Sequence, residues 1–105
     1  MKQILVQPEQ IGAPKKLSQI IREFTFPQIR GQCTDGQGRY CVYGGLLHYF
    51  GAEPTLSPSH ASTLEAYLEI QKGLHDKVNL LDLIGRNNNG STFAEIADFL
   101  ELYDL

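Results

Sequence analysis

Gly44 and Gly45 stand side by side inside "YCVYGGLLHYF", residues 40–50, a stretch that otherwise reads as a helix. No other feature limits the fold as much. A glycine in a helix interior costs roughly 1 kcal/mol relative to alanine. Something must offset two of them, and close backbone packing is the usual answer. The stretch therefore predicts a tightly packed helix, ended by Gly51 as a glycine just past the C-terminus. Before it lies "IRGQCTDGQGR", a loop in which Asp35-Gly36 and Gly38 supply turn chemistry. Its flanks lack the alternation of a good hairpin, which leaves room for no more than a minor two-stranded β element.

The other segments read as short helices. In "APKKLSQIIREF" Pro14 fits a first-turn position. Leu17, Ile20, Ile21 and Phe24 form one stripe there, with Pro27 as the stop. Ser57-Pro58 is a cap-then-first-turn signal for a helix through "STLEAYLEIQK". That helix has Leu64, Tyr67, Leu68 and Gln71 on one side and Gly73 as its end. "KVNLLDLIGR" places Val78, Leu81 and Ile84 at helical spacing, and "NNNG" reads as a turn. "TFAEIADFLELY" opens on Thr92 and Glu95, a capping box, and shows Phe93, Ile96, Ala97 and Leu100 as its apolar face. "KQILVQ" reads as a short strand or an extended arm. The expected fold is mainly α: one domain over 1–105, a bundle of four to five short helices with an N-terminal arm over 1–10.

The chain has 105 residues, 42% hydrophobic and 20% charged. That suits one globular domain and argues against disorder. No apolar run reaches the 18 or more residues of a membrane span. "MKQILVQPEQ" is too short in apolar residues for a secretory leader, so a cytoplasmic location is expected. Two cysteines make no disulfide scaffold, and both are expected as reduced thiols. The net charge of −3 is split unevenly. Residues 1–52 carry six basic residues against three acids, and residues 53–105 carry three against nine. Such a chain can bind itself or a charged partner, but its basic half is too sparse to announce nucleic acid.

Spacing discriminates among several chemistries. Cys33, Cys41, His48 and His60 are zinc-ligand types without a paired C-x-x-C. A helix starting near Cys41 would put His48 roughly 10 Å further along its axis, against a zinc–thiolate bond of about 2.3 Å. No metal is expected. Cys41 lies near a predicted helix N-terminus with Arg39 two residues before it, and both features lower a thiol pKa. A base within reach is missing, so a packed thiol is the simpler reading. "GQGRYC" starts like a phosphate-binding glycine loop but lacks the third glycine and the preceding strand. Asp35 has no companion acids for a calcium loop. "LLDLIGRNNNGSTFAEIADFLELYDL" could pair two helices as a helix-turn-helix. However, the last helix carries Glu95, Asp98, Glu101 and Asp104, which would repel phosphates.

Two stretches together carry a resemblance. "GQCTDGQGRYCVYGGLLHYFG" resembles the C-x-G-x-x-x-D-x-x-G-R-x-C-A-x-G-A-L segment of a family of small bacterial, archaeal and phage proteins of unknown function. "NNNGSTFAEIADFLE" resembles that family's later turn-then-helix segment, in the same order along the chain. Together they cover roughly a third of the sequence. Asn88 stands where that family often has Asp, Gly45 where it often has Ala, and the first segment is spaced differently. The resemblance implies a compact helical domain and no particular activity. It also implies, for any common site, Cys33, Asp35, Gly38, Arg39, Cys41, Gly44, Asn87 and Asn88.

Of these, Cys33, Asp35, Gly38, Arg39, Cys41, Asn87 and Asn88 are the candidate binding residues, with no catalytic residue and no cofactor expected. The 33–41 loop and the Asn87–Gly90 turn are expected to pack together. Asn87 or Asn88 would bond the loop backbone, and Asp35 would pair with Arg39. Functionally, a non-enzymatic protein-binding or regulatory module is favoured, with a protein partner or self-association. The lack of a catalytic set, the split charge and the surplus aromatics Tyr40, Tyr43, Tyr49 and Phe50 support it. The alternatives are a thiol-dependent enzyme using Cys41 and a nucleic-acid-associated accessory protein.

Overall fold

The computed structural model describes residues 15–54 and 61–105. Among them lie five helices: α1 (Leu17–Arg22), α2 (Val42–Tyr49), α3 (Ala61–Leu74), α4 (Leu80–Asn88) and α5 (Phe93–Glu101). The described residues contain no strand. Two isolated bridges join Gln28 to Tyr40 and Thr34 to Tyr40. The architecture is thus the expected small helical bundle. The N-terminal arm, Pro14, the Ser57-Pro58 cap and His60 fall outside the described residues.

α5 forms as its sequence dictates. The Glu95 amide donates to Thr92 Oγ1 at 3.1 Å, and the Thr92 amide donates back to Glu95 Oε1 at 2.9 Å. This capping box satisfies two amides that a helix start would otherwise leave without partners. Ile96, Ala97 and Leu100 then face the core. α1 lies against α5 and buries Leu17, Ile20 and Ile21, and the Ser18 amide donates to the Leu105 carbonyl at 3.2 Å. α2 is the central element, packed on α1, α3 and α4, with Val42, Leu46 and Leu47 fully buried. It ends where expected: Gly51 has φ +81°, a backbone conformation that only glycine adopts cheaply.

Two helices present a different face from the one read in the sequence. α3 buries Thr63, Ala66, Ile70 and Leu74, while Leu64 and Leu68 are exposed. It also does not stop at Gly73. A Cβ at that position would lie 2.9 Å from the Leu17 side chain, so Gly73 is a point of close helix approach. The left-handed residues that end α3 are His75 (φ 52°) and Asp76 (φ 58°). In α4 the Asn79 side chain accepts from the Leu81 amide at 2.9 Å and starts the helix at Leu80. The buried stripe is therefore Leu80, Leu83 and Asn87, and Leu81 points outward at 71% exposure. Asn87 and Asn88, read as a turn, are the last helical residues of α4.

Candidate functional site

The candidate residues meet where α2 begins and α4 ends. Cys41 is the residue that caps α2: its sulfur accepts from the Gly44 amide at 3.2 Å, and its own amide donates to the Cys33 carbonyl at 2.9 Å. Gly44 makes that approach possible. A Cβ on it would sit 2.2 Å from the Cys33 carbonyl oxygen, an impossible contact with backbone. Gly45 faces the rings of Phe24 and Phe26, which a Cβ would meet at 2.7 and 2.8 Å. The packing demand read from the glycine pair is thus met by two different neighbours.

Both cysteines are free thiols and buried. The two thiols influence each other most strongly, and this moves them in opposite directions. Cys41 is lowered from 9.0 to about 7, first by Cys33 and then by the Gly44 and Tyr43 amides, with burial opposing. Cys33, beside Cys41 and itself desolvated, is held well above the ordinary thiol range. Tyr43 beside them is pushed up to about 12, mainly by burial. A helix start that offers its amides to a sulfur is also an electropositive setting for a thiolate.

The loop between the cysteines is held by its own side chains. Asp35 Oδ1 accepts from the Gln37 amide at 2.8 Å, and the other carboxylate oxygen pairs with Arg39. The Gln37 amide first, then the Arg39 guanidinium, hold the Asp35 carboxyl below its ordinary value. Thr34 Oγ1 donates to the Arg39 carbonyl at 2.8 Å. Gly38 is exposed, with φ +86°.

Asn87 and Asn88 join this region to α4, although through residues that flank the 33–41 loop. Asn87 is completely buried. Its Oδ1 accepts from the Val42 amide at 3.1 Å and from Gln28 Nε2 at 2.7 Å, and its Nδ2 donates to the Ile29 carbonyl at 2.9 Å. Asn88 Oδ1 accepts from the Gly31 amide at 2.8 Å. Arg30 adds a bond to the Gly90 carbonyl at 3.0 Å. The expectation of direct bonds to 33–41 is corrected accordingly: backbone groups at 29, 31 and 42 were the ones without partners. Nothing in the sequence of Gln28, Ile29 or Gly31 signals this role.

The same bonds answer the phosphate-cradle question. The Val42 amide is taken by Asn87 and the Gly44 amide by the Cys41 sulfur, so the first turn of α2 is occupied by the protein's own acceptors. Among the described residues no three His, Cys, Asp or Glu side chains converge on a metal-sized point. A cavity of about 780 Å³ lies apart from these residues, lined in part by Lys16, Leu17, Tyr49, Lys72, His75 and Lys77. Its lysines are already engaged by Asp104, Glu69 and the Tyr103 carbonyl.

Beside the joint lies a sheet of aromatic rings that the sequence reading did not assemble. Phe24 packs on Phe26 and Phe93 with centroids at 4.6 and 5.1 Å. Phe26 meets Tyr40 at 4.6 Å, and Tyr40 stacks on His48 at 5.0 Å with planes 21° apart. The four carbocyclic rings are half-buried and His48 is exposed. Tyr43, counted among the surplus aromatics, is a core residue. No family model, curated protein or solved structure matches the chain. No helix of the described residues is long and apolar enough to cross a membrane.

Proposed function

We propose that this chain is a non-enzymatic binding module whose contact face is the aromatic sheet of Phe24, Phe26, Tyr40, His48 and Phe93, and whose partner is a protein. The observation that carries the reading is the Tyr40–His48 stack at 5.0 Å. It extends the ring cluster from the half-buried edge of the core out to the solvent-exposed His48. Contiguous amphipathic rings with polar tips offer large contact area at little conformational cost, which is why tyrosine is enriched where proteins meet. The glycine-rich loop and Asn87 act as scaffold: they fix the backbone at Tyr40 and Val42, and so the pose of the rings. The split charge favours partners that present both signs.

The test compares the native chain with a Tyr40→Ser, His48→Ser variant as baits in matched extracts, with thermal melts run in parallel. A protein retained by the native chain and lost with an equally stable variant supports the reading. Equal retention by both baits, or retention by neither, overturns it.

A further inference from the structure

We propose that Cys33 and Cys41 are a redox-active dithiol that closes into an intramolecular disulfide on reaction with a small hydroperoxide and reopens with thiol reductant. The backbone geometry carries this. Thr34 and Tyr40 form an antiparallel bridge, which places residues 33 and 41 opposite each other in the next register. The Cys41 amide bonds the Cys33 carbonyl at 2.9 Å. Directly opposed antiparallel residues have Cα atoms about 4.5–5.5 Å apart, inside the roughly 4.4–6.8 Å range of natural disulfides. Both thiols are free and buried, and each is the largest influence on the other's proton affinity, as neighbouring groups are. Gly44 leaves no Cβ between α2 and the Cys33 backbone, which is what lets the two approach this closely.

The pair has an assigned order of events. Cys41 at the start of α2 receives the Gly44 amide and is the thiolate; Cys33 keeps its proton. With exposures of 4% for Cys41 and 7% for Cys33, the first oxidant has to be small, on the scale of hydrogen peroxide, rather than a bulky disulfide. The Cys41 thiolate attacks one peroxide oxygen, and the O–O bond breaks. Hydroxide leaves, takes up the proton Cys41 had released, and becomes water, giving a sulfenic acid on Cys41. The Cys33 sulfur then attacks the Cys41 sulfur. The S–O bond breaks, and the departing hydroxide takes the Cys33 proton as a second water. Two thiols are oxidised by two electrons and one peroxide is reduced. Closure removes the thiolate that accepts the α2 amides and ties the 33–41 loop to the helix next to Tyr40. The site is independent of the aromatic-face reading and stands or falls without it.

The experiment exposes the reduced full chain to hydrogen peroxide and reads intact mass and thiol content. The expected product is a monomer lighter by two hydrogens, with neither cysteine alkylated after denaturation and both recovered by dithiothreitol. In Cys33→Ser, dimedone is expected to trap a sulfenic acid on Cys41, whereas Cys41→Ser should consume peroxide at least tenfold more slowly. Two free thiols after treatment of the native chain would overturn the proposal. So would disulfide-linked dimers as the main product, or native Cys41 carried on to sulfinic acid. Because the native chain alone decides these outcomes, a variant that failed to fold would not blunt the test.

Discussion

At the scale of single residues, the chain's demands concentrate on Gly44. Alanine is the better helix former by about 1 kcal/mol, yet at position 44 its Cβ would strike a backbone carbonyl held by the Cys41 amide. Backbone there cannot yield without opening the joint, so Gly44→Ala is expected to cost about 2–3 kcal/mol. Gly85 is the control. It lies within α4 with open space around it, and Gly85→Ala should stabilise by about 1 kcal/mol. Urea midpoints of the two variants should move in opposite directions; a shared direction would refute the close-approach account. The thiol pair makes a second prediction. Both sulfurs titrate from 9.0 in the unfolded chain, whereas in the fold Cys41 is lowered to about 7 and Cys33 is raised. Between about pH 7 and 9 the folded pair has given up a proton that the unfolded chain retains, so stability rises with pH. Above 9 the unfolded chain loses both protons and the folded pair only one, so stability falls. Tyr43, raised to about 12, steepens that fall above its ordinary 10.0. Urea midpoints across this range should show a maximum near pH 9, and the rise from 7 to 9 should be missing in Cys41→Ser.

At the scale of elements, what the sequence revealed and what it hid divide along a physical line. α5 was legible because its capping box and stripe are local, written within nine residues. The face of α3 was not. Thr63, Ala66, Ile70 and Leu74 form as regular a stripe as Leu64 and Leu68, and hydrophobicity alone favours the leucines. Packing chose the Thr63–Leu74 stripe, and Gly73 beside it lets Leu17 approach closely. In the candidate site, the Asp35–Arg39 pair was legible from spacing. The seat of Asn87 was not, since its partners lie 58, 59 and 45 positions away in the chain. Asn87 is the joint between α4, α2 and the segment before the loop. Removing it strands a part-buried carbonyl at Ile29 and a buried amide at Val42, the buried one worth about 1–3 kcal/mol if left unpaired. Asn87→Ala is therefore expected to cost about 3 kcal/mol. Asn87→Asp should cost no less, because it loses the donor and sets a charge against the Ile29 carbonyl. Asn88→Ala removes an exposed bond from the Gly31 amide and a long one from Asn87 Nδ2, and should cost no more than about 1 kcal/mol. Equal losses at 87 and 88 in chemical denaturation would rule out the joint.

At the scale of the whole molecule, the division of charge between the halves of the sequence acquires an internal use. α1 lies on the acidic α5: Arg22 pairs with Asp98 and Glu101, and Lys16 just before α1 pairs with Asp104 just after α5. Part of what looked like charge offered to a partner is thus spent between the first described helix and the last, over contacts 76 to 88 residues apart. The acids raise Arg22 above its ordinary value, through Glu101 first and then Asp98, so the guanidinium stays charged at every accessible pH. These pairs are open to water. The Arg22 side chain is 38% exposed, and its partners are 68% and 52% exposed. Exposed pairs contribute little each and fade with salt. The apolar contacts of Leu17, Ile20 and Ile21 beneath them do not depend on salt in that way. Arg22→Met keeps much of the aliphatic stem and removes the charge. At low ionic strength the variant should melt below the native chain. In sodium chloride at ~1 M, where the screening length is about 3 Å, the two melting curves should converge. If the gap persists unchanged at high salt, the charges do not clasp α1 to α5, and the side-chain stem alone carries the contact.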